Sequence, residues 1–337
     1  MQSGFRITRR AAFIGVAVGG ALGAPAVLRA QGQVRLTLGH GTAPGNPRSV
    51  AADHMAAQLR ERSNGRIEMR VAGSEQLGSD VAMLTGLRTG TLDMSVNSQG
   101  PVSSVVPELA AFGLPFLFAD SQAAYRVIDG PLGQEIARKL ESVGLVSLGW
   151  WDNGIRHITN SKRPIARPED LRGLKIRTPP DPTTIDIFQA LGAATQQINF
   201  NELYVALQQG VVDGQENPLA NIHSSKLYEV NKFISLSSHQ WQCNPLFASR
   251  IAWGRLRPED KRLVQEVAKE AEAHQRGLSQ ETDTRLLGEY RANPALAVNE
   301  VDQAPFRTAT APVYEKWEAR PFGDFVKKLR AAAVAGA

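Results

Sequence analysis

Arg177 closes a strand-like run, Leu174-Lys175-Ile176-Arg177, and Thr178-Pro179-Pro180 follow it at once. A guanidinium held at a strand end can grip a carboxylate through two parallel hydrogen bonds, or it can pair with a local acid. The hexapeptide Asp213-Gly214-Gln215-Glu216-Asn217-Pro218 is a second candidate. Gly214 permits a tight turn and Pro218 removes a donor, so the side chains between them, Asn217 included, are held on a short loop. The same hexapeptide also reads as a plain turn. Asn153-Gly154-Ile155-Arg156 joins a turn signal to a further cation. Cations and amides in this setting suit the capture of an anion.

Signals for bond-making chemistry are absent. There is no Gly-x-Ser-x-Gly elbow, no Walker loop and no His-Glu-x-x-His. Gly39-His40-Gly41 begins like a dinucleotide loop, but Pro44 stands where the third glycine would be. The 6 histidines show no metal-ligand spacing with the single cysteine, so neither metal nor cofactor is expected. His40 and His239 remain open between a ligand role and a structural one, whereas His157, His223 and His274 read as surface or helix residues. Trp150, Trp151 and Trp241 fit a core, although an aromatic face beside polar groups also holds sugars. Trp151 followed by Asp152 and Asn153 lies next to Arg156, which keeps that second reading open.

Composition sets bounds on the class. The chain has 337 residues, 42% hydrophobic and 21% charged, as expected of a globular protein with room for two domains. The formal net charge is +5, but Arg6, Arg9, Arg10 and Arg29 fall in a first segment without acids; without them it is +1. A near-neutral remainder has no general electrostatic reason to bind nucleic acid or anionic lipid. Residues 1–30 read as an export signal: the twin arginine Arg9-Arg10, a Gly/Ala-rich apolar stretch, and a favoured cleavage point after Ala30. No stable membrane insertion is expected once the signal is removed, because no later segment is apolar for 18 residues. Cys243 alone cannot form an internal disulfide and reads as a buried, inert thiol.

The elements that must position these residues alternate. Val34, Leu36 and Leu38 mark a strand, about 47–63 a helix, and Ile67, Met69 and Val71 a strand. Val81, Leu84 and Leu87 then mark a helix, and Leu92, Met94 and Val96 a third strand. That order predicts parallel pairing in an α/β domain, with ligands beyond the carboxyl ends of the strands, near His40 and Asn97-Ser98-Gln99. A second α/β pattern follows Trp150-Trp151, with helices near 184–191 and 202–209 and a strand over 246–253. Between Pro258 and Pro294 no helix-breaking proline occurs. One helix there would run roughly 52 Å at about 1.5 Å per residue, long enough to lie across two domains. A break near Gly277 into two helices is the alternative.

Taken in order, several segments resemble one family. They are Ser74-Glu75-Gln76-Leu77-Gly78, Phe112-Gly113-Leu114-Pro115-Phe116, Leu174 to Pro179, and Tyr204-Val205-Ala206-Leu207-Gln208 leading into Val212 to Pro218. The chain resembles, over about 34–330, the extracytoplasmic solute receptors of tripartite ATP-independent periplasmic (TRAP) transporters, the dicarboxylate- and sialic-acid-binding type. The resemblance implies a periplasmic, non-enzymatic, two-domain α/β binding protein with a cleft between domains, crossing strands and a long domain-spanning helix. The expected division is 34–157 with about 240–275 for the first domain and 158–239 with about 276–330 for the second, the helix 258–292 being shared. It implies that Arg177 salt-bridges a ligand carboxylate, that Asn217 hydrogen-bonds it, that Arg156 is a second arginine of the site and that Phe200 lines the pocket. His40, Ser98 and Gln99 fall on first-domain loops facing the ligand. Sialic-acid receptors carry glutamate where Ser98 aligns, a departure that points away from sialate. The expected partners are a small organic acid and the small and large TRAP membrane subunits. Neutral hydrogen-bonding residues near the two arginines favour a uronate or aldonate, with a C4-dicarboxylate or 2-oxo acid as the alternative. A secreted enzyme on sugar acids would need an acid–base pair, for which Glu75 and His40 are the candidates. A sensory module that presents ligand to a membrane kinase is a third class.

Overall fold

The computed structural model describes residues 32–335. The export signal read at 1–30 lies outside the described residues. In chain order the first part holds β1 (Val34–His40), α1 (Pro47–Arg62), β2 (Ile67–Ala72), α2 (Asp80–Thr89), β3 (Met94–Val96) and α3 (Gln99–Val102). Then come α4 (Ser121–Ile128), α5 (Pro131–Ser142) and the long β4 (Leu145–Asn160). The next part holds β5 (Lys175–Thr178), α6 (Pro182–Ala190), β6 (Ala194–Gln197), α7 (Phe200–Gln208), β7 (Gly214–Asn217) and α8 (Leu219–Ser224). It is followed by the long β8 (Phe233–Ser249), α9 (Arg250–Arg255), α10 (Pro258–Ala292), β9 (Ala297–Glu300), α11 (Gln303–Glu318) and α12 (Gly323–Ala335).

Local chemistry explains the boundaries. Asn46 caps α1 by accepting the Arg48 N–H, and Pro47 takes the first turn, where its missing donor costs nothing. Ser79 caps α2, and Gly90 ends it in the left-handed conformation at φ 78°. Pro258, Glu259 and Asp260 open α10. That helix is continuous for 35 residues and passes through Gly277 without a break.

All strands join one sheet, ordered β2-β1-β3-β8-β4-β7-β5-β6, with β9 beside β8. As the alternation predicts, β1 pairs parallel with β2 and β3. The antiparallel pair β4 and β8 runs from Leu145↔Ser249 to Asn160↔Phe233 and carries the sheet from one half to the other. At one end β3 joins β8 through Met94↔Ala248; at the other β7 joins β4 through His157↔Asn217. The strand read over 246–253 is therefore the tail of β8, which stops at Ser249 because that side chain caps α9. His157, read as a surface or helix residue, is a strand residue of β4, and burial holds its imidazole down at about 3.

The helix α10 is fixed to β4 by side chains. Glu272 accepts the Trp150 N–H at 2.6 Å, and Gln275 both accepts the Asp152 N–H at 2.7 Å and donates to its carbonyl at 2.8 Å. The apolar core falls into clusters. Leu38, Met55, Trp151 and Leu246 pack under α1 and α10, while Phe112, Trp150, Trp241 and Phe247 pack with Trp317 of α11 and Phe325 of α12. Phe306, at the other end of α11, enters the cluster of Ile158, Ile176 and Phe188. Helix α11 thus packs into two of the clusters.

Candidate functional site

The carboxyl ends of β1, β2 and β3 on one side, and of β5, β6 and β7 on the other, converge on one cavity. This is where open α/β sheets place their ligands. Seven of the twelve residues expected from the sequence line it: Arg177, Asn217, Arg156, Ser98, Asn153, Phe200 and Glu75.

Arg177 is the next-to-last residue of β5 and is 2% exposed. Its Nε donates to the Ile198 carbonyl at 2.9 Å, and the guanidinium carbon lies 5.8 Å from the centre of the Phe200 ring. Among the described residues no carboxylate pairs with it. Burial lowers its pKa to about 10, with Glu216 opposing and Arg156 reinforcing the shift, so it stays charged at neutral pH.

Arg156 is different. Its Nε meets Glu216 Oε2 at 2.5 Å and its terminal nitrogen meets Glu216 Oε1 at 2.8 Å, a two-pronged ion pair buried on both sides. Burial alone would push the Glu216 carboxyl up, but Arg156 and His239 hold it below its ordinary value. Asn217 completes the arrangement: its Oδ1 accepts from Arg156 at 3.2 Å and from Asn221 at 3.1 Å, while its Nδ2 donates to Gln215 at 2.5 Å.

The other five expected residues stand behind the wall, each for a physical reason. Trp151 is wholly buried in the apolar cluster under α1 and α10. Trp241 is also core, its indole N–H satisfied by Asp152 at 2.8 Å. His239 stands behind Glu216, 3.4 Å from its carboxylate, and is bonded to Ser237 at 2.8 Å. Gln99 turns inward to accept the Cys243 N–H at 3.1 Å and so braces β8; Cys243 itself is buried. His40 packs against Gly73 and accepts the Thr42 N–H at 3.3 Å. Burial, then Arg48, lowers its pKa to about 4, so at neutral pH it is uncharged and only a weak base.

The sequence reading missed Arg48, Asp80, Asn199, Asn221 and Gln242, all on the cavity wall. Arg48 left a signal: a cation in the first turn of a helix, with no acid there, opposes the helix dipole. Local violations of this kind are expected at functional or strained sites. Asp80 left none, because an acid in the first turn of α2 is what any helix prefers. Glu75 has its pKa raised to about 7, by burial first and by Asp80 second, against the Asn201 N–H, Arg177 and Arg48.

Among the described residues no cluster of three or more His, Cys, Asp or Glu is placed to hold a metal, and no helix is long and apolar enough to cross a membrane.

Comparison with known proteins gives the family. Residues 38–320 match the model of bacterial extracellular solute-binding protein, family 7. The protein y4mM of Sinorhizobium fredii is 56% identical over 315 residues, 92% of this chain, which spans only 58% of that relative's length. A sugar acid binding protein of Advenella mimigardefordensis, solved with galactonate, is 31% identical with a TM-score of 0.88, covering 91% of this chain and 99% of that one. A TRAP periplasmic solute binding protein of Sulfurospirillum deleyianum, solved with succinate, is 31% identical with a TM-score of 0.86, covering 89% and 99%. The long α10, the α/β sheet and the matched span agree, and the chain belongs to family 7 of the bacterial extracellular solute-binding proteins, the periplasmic TRAP-type receptors, which are not enzymes.

Proposed function

We propose that this receptor captures a hydroxylated organic acid, a uronate or an aldonate, and delivers it to the small and large membrane subunits of a TRAP transporter. One observation carries the reading: Arg177 is buried on the wall of the cavity with no carboxylate of its own. A buried, unpaired cation is costly, and a ligand carboxylate supplies the missing charge. Asn217, Asn153, Asn221 and Ser98 add neutral groups suited to hydroxyls. The galactonate-bound structure from A. mimigardefordensis supports a sugar acid. The succinate-bound structure from S. deleyianum supports a C4-dicarboxylate as the second reading. Closure of the two proposed domains, 34–157 with 240–275 and 158–239 with 276–330, would seal the ligand from water. A thermal-shift screen of organic acids tests the proposal: an acid at a hundred times its Kd adds about 2.7 kcal/mol of stability. A panel of uronates, aldonates, dicarboxylates and 2-oxo acids that leaves Tm unmoved would sink it.

A further inference from the structure

All 6 histidines lie among the described residues, and only His54 and His274 are exposed. Neither lines the cavity. They stand far apart in the chain, His54 on α1 and His274 on α10, so sequence spacing gives no sign of a pair. The fold brings them together. Met55 and Leu59 of α1 share one apolar cluster with Val267, Ala268 and Ala271 of α10, and the small side chains let the two helices approach closely. Near the end of α1, Arg62 bridges to Glu266 and Glu270 of α10 at 2.9 Å each. About two turns earlier on α1, and one turn after Glu270 on α10, the two imidazole rings meet across the seam with centroids 4.5 Å apart.

As an aromatic contact the pair is poorly arranged. Rings favour offset-parallel or edge-on packing, and these two are tilted at 39°, between the two optima. The geometry suits joint ligation of one ion. A ring nitrogen about 2.0 Å from a metal puts the ring centre about 3.1–3.2 Å from it. Two such rings with centres 4.5 Å apart subtend about 90° at the metal. A tetrahedral angle would need centres about 5.1 Å apart. The right angle is that of neighbouring ligands in square-planar or tetragonal copper(II), which also stands highest in the affinity order of divalent first-row metals. Glu270, the nearest acid along α10, is committed to Arg62, so water fills the remaining positions. A pair of imidazoles falls one residue short of the three-residue clusters that are absent among the described residues. We propose that His54 and His274 form a surface site for a late first-row divalent metal, copper(II) in preference to zinc(II), that bridges α1 and α10.

Titration calorimetry of the untagged mature chain with copper(II), then with zinc(II), tests it in a buffer without chelating groups. One copper(II) per chain should bind, tenfold or more tightly than zinc(II). Electron paramagnetic resonance of that complex should show nitrogen coupling from two imidazoles. His54→Gln and His274→Gln should each weaken copper(II) tenfold or more, because either change reduces a two-point chelate to a single ligand. Both side chains are exposed, so each variant should keep the wild-type circular dichroism and urea midpoint. The double variant reads the background from the N-terminal amine and the other four histidines, and it should bind little more weakly than either single one. Wild-type copper(II) affinity in either folded single variant would overturn the site. So would two independent ions per chain, each lost with one histidine, because the rings would then not share a metal. Zinc(II) bound as tightly as copper(II) would contradict the right-angle geometry and overturn the proposal as well.

Discussion

Arg156 and Arg177 share one cavity and are equally buried, yet one is finished and the other is not. Arg156 is gripped through two nitrogens by Glu216, and His239 stands behind that carboxylate. Arg177 has a backbone carbonyl, an aromatic neighbour and no carboxylate. The difference separates two uses of the same residue type. A buried cation with its own anion is already neutralised within the fold, and β7 is held against β4 beside that pair through Asn217↔His157 and Glu216↔Ile158. A buried cation without one is an incomplete site. Arg48 belongs with Arg177 by this criterion, and Arg156, the proposed second arginine of the site, lines the same cavity.

The most severe way to break the comparison is to remove the finished side. Glu216→Ala would strand Arg156 without its charge partner, and breaking a buried pair costs about 3–5 kcal/mol. Urea unfolding should show that loss; a wild-type midpoint would mean that the pair is not structural. Asn217→Ala sits between the two networks. It should cost about 0.5–3 kcal/mol of ligand affinity by calorimetry, according to what it leaves unpaired.

A smaller effect separates the charged walls by pH. The Glu75 carboxyl has its pKa raised to about 7 by burial and by Asp80, with Asn201 N–H, Arg177 and Arg48 opposing. The folded chain therefore binds more protons than the unfolded one between the ordinary 4.5 and about 7, and this group's contribution to stability falls as pH rises through that window. An anionic ligand raises the same pKa further, so affinity should fall several-fold from pH 6 to pH 8. His40 stays neutral across that range. Glu75→Gln should flatten the profile, and an identical slope in the variant would assign it to another group. The smallest expected signal is geometric: small-angle scattering should show a slightly lower radius of gyration with ligand if the proposed domains close. An unchanged radius at saturation would count against closure.

Much of this was legible before the structure, for physical reasons. The first half alternates cleanly because β1 and its neighbours bury apolar side chains between helices, and the Pro258 to Pro294 interval is set by prolines. The crossing strands were not legible over most of their length. Between Phe233 and Ser249 nearly every residue is buried, yet Ser235, Ser237, His239, Gln240, Gln242 and Asn244 are polar. A strand whose polar side chains are buried in a hydrogen-bonded network shows no two-residue alternation, so only its apolar tail was seen. The tryptophans were legible only in part: composition cannot say which side of a wall an indole occupies, and Trp151 and Trp241 took the core reading rather than the ligand one. Arg48 was written in the sequence as a cation at a helix start, after Asn46 and Pro47.

The central claim is that Arg177 is the carboxylate anchor, and one measurement tests it most directly. Titration calorimetry of Arg177→Ala and Arg177→Lys, with whichever acid the thermal screen finds and circular dichroism to confirm folding, should show loss of about 2–5 kcal/mol for the alanine, roughly thirtyfold to several-thousandfold in affinity. The lysine should also bind poorly, because a point charge cannot reproduce a planar fork. Wild-type affinity in a folded Arg177→Ala protein would contradict the account.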